Sequence, residues 1–292
     1  MGCLSISQSL RIVEAALCGL SVILFWARHQ AISPYGVWCE FCWVFGVIVA
    51  LAILVVETFK LDLLLAVCLQ HSWDDLATGL TLTCAEMVLS ASLLYAIRVM
   101  PCKTCFLEIV CVILSFGAAL VFLVDGVMAK IKSKSMTGGY LAAICGMLRF
   151  TEAVLSCILL VAFASYFFAV GTTKIPLALG WCLLVYLVCF VGSVLIMLFN
   201  LIKLLKALLC VDKIEVIFNI VAVVLYISAL ILWPIYGKRH YYSVFKSDSE
   251  GRSVSNYGFR YSDLMTVLAL TVVNLILYAV DMILSLVNLN NR

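Results

Sequence analysis

The sequence predicts an all-α polytopic membrane protein whose eight transmembrane helices form two tandem four-helix bundles. Three observations carry this expectation. Hydrophobic residues make up 65% of the 292-residue chain and charged residues 12%, against about 45–50% and about 25% in a soluble domain. Eight apolar stretches, 10–27, 37–57, 78–98, 105–126, 146–168, 178–200, 214–236 and 262–287, meet or approach the ~20 residues that cover ~30 Å of hydrocarbon. Landmarks of the first four stretches then recur, in order, in the last four.

Stretches of this length exceed the about 4–8 residues of a buried strand. A membrane barrel would alternate polar and apolar positions, and none of the stretches does. The first run reads as a retained helix, not a signal peptide, because Arg28-His29-Gln30 is no small-residue cleavage site. Leu10-Arg11-x-x-Glu14-Ala15-x-Leu17 in span 1 returns as Leu148-Arg149-x-x-Glu152-Ala153-x-Leu155 in span 5. Trp38-Cys39 opens span 2 and Trp181-Cys182 span 6. Ser90-Ala91 in span 3 matches Ser228-Ala229 in span 7, and Val124-Asp125 in span 4 matches Val280-Asp281 in span 8. Four spans per unit is an even number, so the units form a parallel repeat about an axis along the membrane normal. The expected domains are 1–131 and 141–292, joined by a Lys-, Ser- and Gly-rich link within 130–140.

Eight spans put both termini on one side. With cytosolic termini, ten Lys/Arg residues fall inside and nine outside, and five of those nine lie in the last loop, 237–261. The early loops dominate orientation, so cytosolic termini are the reading. The net charge of +3 is too small to suggest nucleic acid as a partner.

Charges inside spans cost several kcal/mol at mid-bilayer, which makes them the first site candidates. Arg11 and Glu14, and again Arg149 and Glu152, share a helix face at i,i+3. Asp125 and Asp281 close the last span of each unit, and Glu57 and Asn200 end the second spans at the same level. The reading is an interfacial clasp, Arg11 with Asp125 and Arg149 with Asp281, and its rival is a proton or ion relay. A relay needs polar groups across the midplane, whereas the interiors read as Leu, Val, Ala and Cys. Glu86 in span 3 is the best candidate for the relay. Small residues (Gly117-Ala118-Ala119, Ser90-Ala91-Ser92, Gly192-Ser193) suit close helix approach. Trp38, Trp43, Trp73, Trp181 and Trp233 suit an aromatic belt.

Most of the fourteen cysteines sit within spans, where a thiol behaves as a small hydrophobe. Cys39, Cys42, Cys102 and Cys105 fall at one end of the first unit and are candidates for a disulfide. Cys3, after Met1-Gly2, and juxtamembrane Cys210 are candidates for acylation, although Ile6 stands where the myristoylation pattern wants Ser or Thr. No catalytic set, metal-ligand spacing or phosphate loop is present in the sequence, so no enzyme activity and no cofactor are expected.

The second half carries a further set: Gly139-Tyr140-x-Ala142-x-x-x-Gly146-x-Leu148-Arg149, Trp181-Cys182-x-x-Val185-Tyr186-x-x-Cys189-Phe190, Leu225-Tyr226-x-x-Ala229-Leu230-x-Leu232-Trp233-Pro234-x-Tyr236, and Asn274-Leu275-x-x-Tyr278-x-x-Asp281. Together with Ser72-Trp73, these resemble the myeloid-associated differentiation marker (MYADM) family, whose members carry two MARVEL domains. The resemblance covers nearly the whole chain and is strongest in the second half. It implies a non-enzymatic organiser of ordered, cholesterol-rich plasma membrane, with links to cortical actin, small GTPase signalling and vesicle traffic. The implied partners are the bilayer with its cholesterol and other membrane proteins, including a second copy. The implied location is the plasma membrane and endosomal membranes. One departure stands out: the family pattern has a cysteine pair in the last outer loop, and 237–261 contains no cysteine. The alternative is a small transporter or channel on a parallel repeat, but prolines 34, 101, 176 and 234 all fall at span ends or in loops, not at a broken midplane helix.

Overall fold

A computed structural model of the chain describes residues 6–27, 33–61, 73–99, 106–132, 144–170, 175–201, 211–248 and 257–290. Among these residues there are eight long helices and no strands. They are α1 (Ile6–Ala27), α2 (Pro34–Phe59), α3 (Trp73–Leu94, continued by a π-helical turn Tyr95–Val99) and α4 (Phe106–Lys132), then α5 (Ile144–Val170), α6 (Leu177–Leu201), α7 (Val211–Asp248) and α8 (Tyr257–Asn290). Each is long and apolar enough to cross a membrane, and the chain is a multi-pass membrane protein.

Local chemistry sets several helix ends. Ser33 caps α2 by accepting the Gly36 N–H at 3.0 Å, and Pro34 occupies the first turn, where its missing N–H costs nothing. The same helix ends at Lys60 in the left-handed region, φ 52°, its N–H returning to the Val56 carbonyl. Asp74 and Asp75 open α3, while Lys130 and Lys132 close α4. Both placements complement the helix dipole.

The chain divides into two compact units, Met1–Met147 and Leu148–Arg292. In the first, α1 packs on α2 and α4, and α3 packs on the same two, closing a four-membered ring. In the second, α7 packs on α6 and α8, and α5 is tied to α7 and α8 by hydrogen bonds described below. The link residues 133–140 lie outside the described set.

Three expectations need correction. The last loop is mostly helix: α7 runs to Asp248, 38 residues in all, or ~57 Å at 1.5 Å per residue. Charge and Tyr in 237–248 resemble a loop by hydropathy, but nothing there breaks a helix. Pro234 accordingly lies inside α7, not at its end. Trp43 and Trp233 are not belt residues, because both are fully buried. Trp43 Nε1–H donates to Ser115 Oγ at 2.7 Å and Trp233 Nε1–H to the Leu264 carbonyl at 3.0 Å. Phe25, Trp43 and Tyr95 form an edge-to-face trio with centroids 5.5–6.2 Å apart. Cys39 and Cys42 are buried thiols. Cys39 Sγ–H points to the Ala91 carbonyl at 3.4 Å. Cys102 and Cys105 lie outside the described residues.

Gly46 and Gly192 are among the positions where close packing depends on an absent side chain. A Cβ on Gly46 would meet Cys18 Sγ at 3.1 Å, Val88 at 3.4 Å and Phe122 at 3.5 Å, one contact from each of the other three helices. A Cβ on Gly192 would overlap the Phe218 ring, which also lies 5.6 Å from the Arg149 guanidinium. Gly192→Ala is expected to destabilise the second unit by about 1–3 kcal/mol, as overpacking does. Denaturant unfolding in detergent micelles measures it, and Phe218→Leu in the same chain should recover part of the loss.

Candidate functional site

Each unit encloses one guanidinium among carboxylates. In the first, Arg11, Glu14, Thr81 and Asp125 are at most 3% exposed. Arg11 Nη1 contacts Asp125 Oδ2 at 2.8 Å and Glu14 Oε2 at 3.3 Å, and donates to Thr81 Oγ1 at 2.6 Å. The Thr81 hydroxyl spends its own hydrogen on the Ala77 carbonyl, 2.7 Å away, so it can only accept from Arg11. One side chain thereby joins α1 to its ring neighbour α4 and, across the ring, to α3.

In the second unit, Arg149, Glu152, Asn219 and Asp281 are fully buried and Glu215 nearly so. Arg149 Nη1 contacts Glu152 Oε2 at 3.1 Å and donates to Asn219 Oδ1 at 2.8 Å. Its Nη2 contacts Glu215 Oε1 at 3.0 Å and also Asp281 Oδ2. Asn219 Nδ2 donates to the same Asp281 oxygen at 2.8 Å. The planar five-donor fork of Arg suits such many-sided bonding in a way that Lys does not. Stripping water from an arginine costs several kcal/mol, which only well-placed partners offset.

The structure thus brings together Arg11, Glu14 and Asp125 in one unit, and Arg149, Glu152 and Asp281 in the other. Thr81, Glu215 and Asn219 were not legible as members. Their signal was spacing: Glu215 and Asn219 are i,i+4 and face one way along α7. Glu57 is half-buried at the end of α2, and buried Asn200 turns its amide back to the Ile196 carbonyl at 3.0 Å. Glu86 is half-buried in α3. Cys3 and Cys210 lie outside the described residues.

Further contacts recur between the units. Trp38 and Trp181 indoles donate to Ser90 and Ser228 at 3.2 and 3.1 Å. Trp43 bonds Ser115 in the first unit, and Tyr186 bonds Thr271 at 2.9 Å in the second. Between the charges and these pairs the interiors diverge. Cys18, Val88, Ala118 and Phe122 line the first unit there. The second unit is polar, which corrects the expectation of interiors made of Leu, Val, Ala and Cys. Asn274 Nδ2 donates to Ser156 Oγ at 2.8 Å and to Tyr226 Oη at 2.7 Å. The Ser193 and Tyr278 hydroxyls lie 2.8 Å apart. Farther along, Ser165 donates to Asp263 at 3.0 Å and Tyr166 Oη sits 3.0 Å from His240 Nδ1. The rings of Phe163 and Tyr166 pack on Trp233 (centroids 5.4 and 5.9 Å apart), and Phe163 also meets Tyr186 at 6.5 Å.

Helical bundles that cross the membrane and hold a charge cluster within them define a class of multi-pass membrane protein. Within that class, the chain is similar to a myeloid-associated differentiation marker homolog of Xenopus laevis, 28% identical over 94% of this chain and 90% of the relative. It is similar to the human myeloid-associated differentiation marker-like protein 2, 26% identical over 93% and 88%. It is also similar to the human myeloid-associated differentiation marker, 27% identical over 85% and 77%. These likenesses support a relationship to the myeloid-associated differentiation marker family. No family model matches it, and no solved structure does.

Asp281 Oδ2 is the fully buried acceptor of both Arg149 Nη2 and Asn219 Nδ2, so removing it strands two buried donors. Asp281→Ala is therefore expected to cost about 3–5 kcal/mol. Glu215→Gln, whose native side chain is 10% exposed at the cluster edge, is expected to cost about 1–2 kcal/mol. Unfolding midpoints of the two variants in one detergent check the ranking, and a larger loss for Glu215→Gln would reverse it.

Proposed function

We propose that this protein is a non-enzymatic organiser of ordered, cholesterol-rich plasma membrane, built as two tandem MARVEL-type bundles with cytosolic termini. The observation that carries the reading is the division of chemistry between inside and outside. Buried charges sit in clusters that tie helices together. The outward faces present Ile, Leu, Val and Phe on seven of the eight helices, all but α5, among them Ile23, Ile48, Leu89, Ile113, Leu184, Ile217 and Ile276. A surface of that kind acts on lipid and on other membrane helices. In this reading the Arg clusters are structural clasps, and the bilayer, its cholesterol and neighbouring membrane proteins, including second copies, are the partners. Links to cortical actin, small GTPase signalling and vesicle traffic belong to the same proposal, as do endosomal membranes.

Span length supports sorting. Seven of the eight spans reach 23 residues or more, and each ångström of mismatch with a thinner bilayer costs a fraction of a kcal/mol. Summed over eight spans, that preference exceeds thermal energy. A small transporter is the second reading, favoured by the polar interior of the second unit. The packed Phe163, Tyr166 and Trp233 rings count against it. Partitioning in plasma-membrane vesicles tests the proposal. The wild type should enrich in the ordered phase by about twofold or more, as a bias of ~0.4 kcal/mol gives, and Cys3→Ser with Cys210→Ser should reduce that without abolishing it. Confinement of the wild type to the disordered phase would reject it.

A further inference from the structure

The second cluster holds three carboxylates, Glu152, Glu215 and Asp281, against the single guanidinium of Arg149. The groups facing Glu152 supply no second positive charge. They are Arg149 on its own helix, Cys189 on α6, Glu215 and Tyr226 on α7, and Asp281 and Tyr278 on α8. The first cluster shows the same imbalance on a smaller scale: Glu14 and Asp125 face Arg11, with half-buried Glu57 and the thiols of Cys18 and Cys84 around them. Buried charge of one sign is expensive unless something neutralises it. One glutamate oxygen is left over in both places. Glu14 Oε1 and Glu152 Oε1 are fully buried and make no hydrogen bond, while their Oε2 atoms face the arginines. Beside the Arg149 cluster, the buried oxygens Asn274 Oδ1 and Asp281 Oδ1 are also unbonded. Asn274 belongs to the same layer, because its Nδ2 lies 3.5 Å from the Glu152 carbonyl and 2.8 Å from Ser156 Oγ.

We propose that the second bundle binds a small monovalent cation at Glu152 Oε1, beside the Arg149 cluster, with Asn274 Oδ1 as a further oxygen donor. Sodium and the proton share the needed chemistry, a single positive charge that prefers hard oxygen. Glu14 marks the corresponding but weaker place in the first bundle, where Cys18 and Ala118 supply no oxygen like those of Ser156 and Asn274. Bound charge would stabilise the second bundle by an amount that grows with the logarithm of cation concentration above the dissociation constant.

The test uses the purified full-length chain in detergent micelles. Its thermal midpoint is followed in sodium chloride against choline chloride at equal ionic strength, at pH 8 and again at pH 6. A sodium ligand should raise the midpoint by about 5 °C at pH 8. A proton ligand should raise it on going to pH 6 in either salt. Glu152→Gln should remove whichever response the wild type shows, and Asp263→Asn, at the far end of the bundle, should keep it. A wild type indifferent to both variables would overturn the proposal, as would a Glu152→Gln chain that responds like wild type. If Glu152→Gln fails to fold, Asn274→Leu takes its place. A several-fold weaker response then supports the site, and an unchanged one overturns it.

Discussion

A guanidinium held in hydrocarbon has to find its partners within the protein, and in each bundle that requirement fixes which helices meet. Arg11 reaches α3 and α4 from α1. Arg149 reaches α7 and α8 from α5. Between lipid-surrounded helices there is little hydrophobic drive to associate, since lipid tails are as apolar as Leu. Specific polar contacts and close steric fit must supply the order. The Arg clusters give one end of each bundle its register, and the buried Trp, Tyr, Ser and Thr pairs give the rest. The missing side chains of Gly46 and Gly192 let the helices come close enough for both.

The two bundles use one frame with different fillings. In the first, a belt of Cys18, Val88, Ala118 and Phe122 separates the charges from the Trp43–Ser115 and Ser92–Ser115 bonds. In the second, Ser156, Tyr226, Asn274, Ser193 and Tyr278 carry hydrogen bonding through the middle. An apolar layer packs without needing direction. A hydroxyl and amide layer holds only if nearly every group is satisfied, and it fixes side-chain orientation in return. The second bundle thus has a directional interior where the first has an apolar one.

Much of this was legible in the sequence, for physical reasons that can be named. Span length and hydropathy reveal helices because lipid tolerates so few alternatives. The Arg-x-x-Glu motif and the distant Asp stood out because charge in a span is costly and the pattern occurs twice. What hydropathy does not encode is facing. Trp43 and Trp233 look like interfacial residues by position along the chain, yet both turn inward to a hydroxyl and a carbonyl. Glu215 and Asn219 sit near the start of the seventh apolar stretch, where hydropathy assigns them no partner. Only their shared face on α7 puts them beside Arg149. The polar interior of the second bundle was hidden in the same way. Tyr and Ser are unremarkable in an apolar run until their helices are docked. Residues 237–248 were missed for the opposite reason, because their polarity marks an exit from the bilayer but says nothing against a continuing helix.

If the guanidinium is the hub on which the carboxylates depend, removing it alone should do more harm than removing the whole charged set. The direct measurement compares the unfolding midpoint of Arg149→Met with that of Arg149→Met combined with Glu152→Gln, Glu215→Gln and Asp281→Asn, in the same detergent. A strong loss in the single variant, with most of it recovered in the fourfold variant, is the predicted result, because the buried negative charge then no longer needs an arginine. A single variant as stable as wild type, or a fourfold variant that falls further still, would contradict the account.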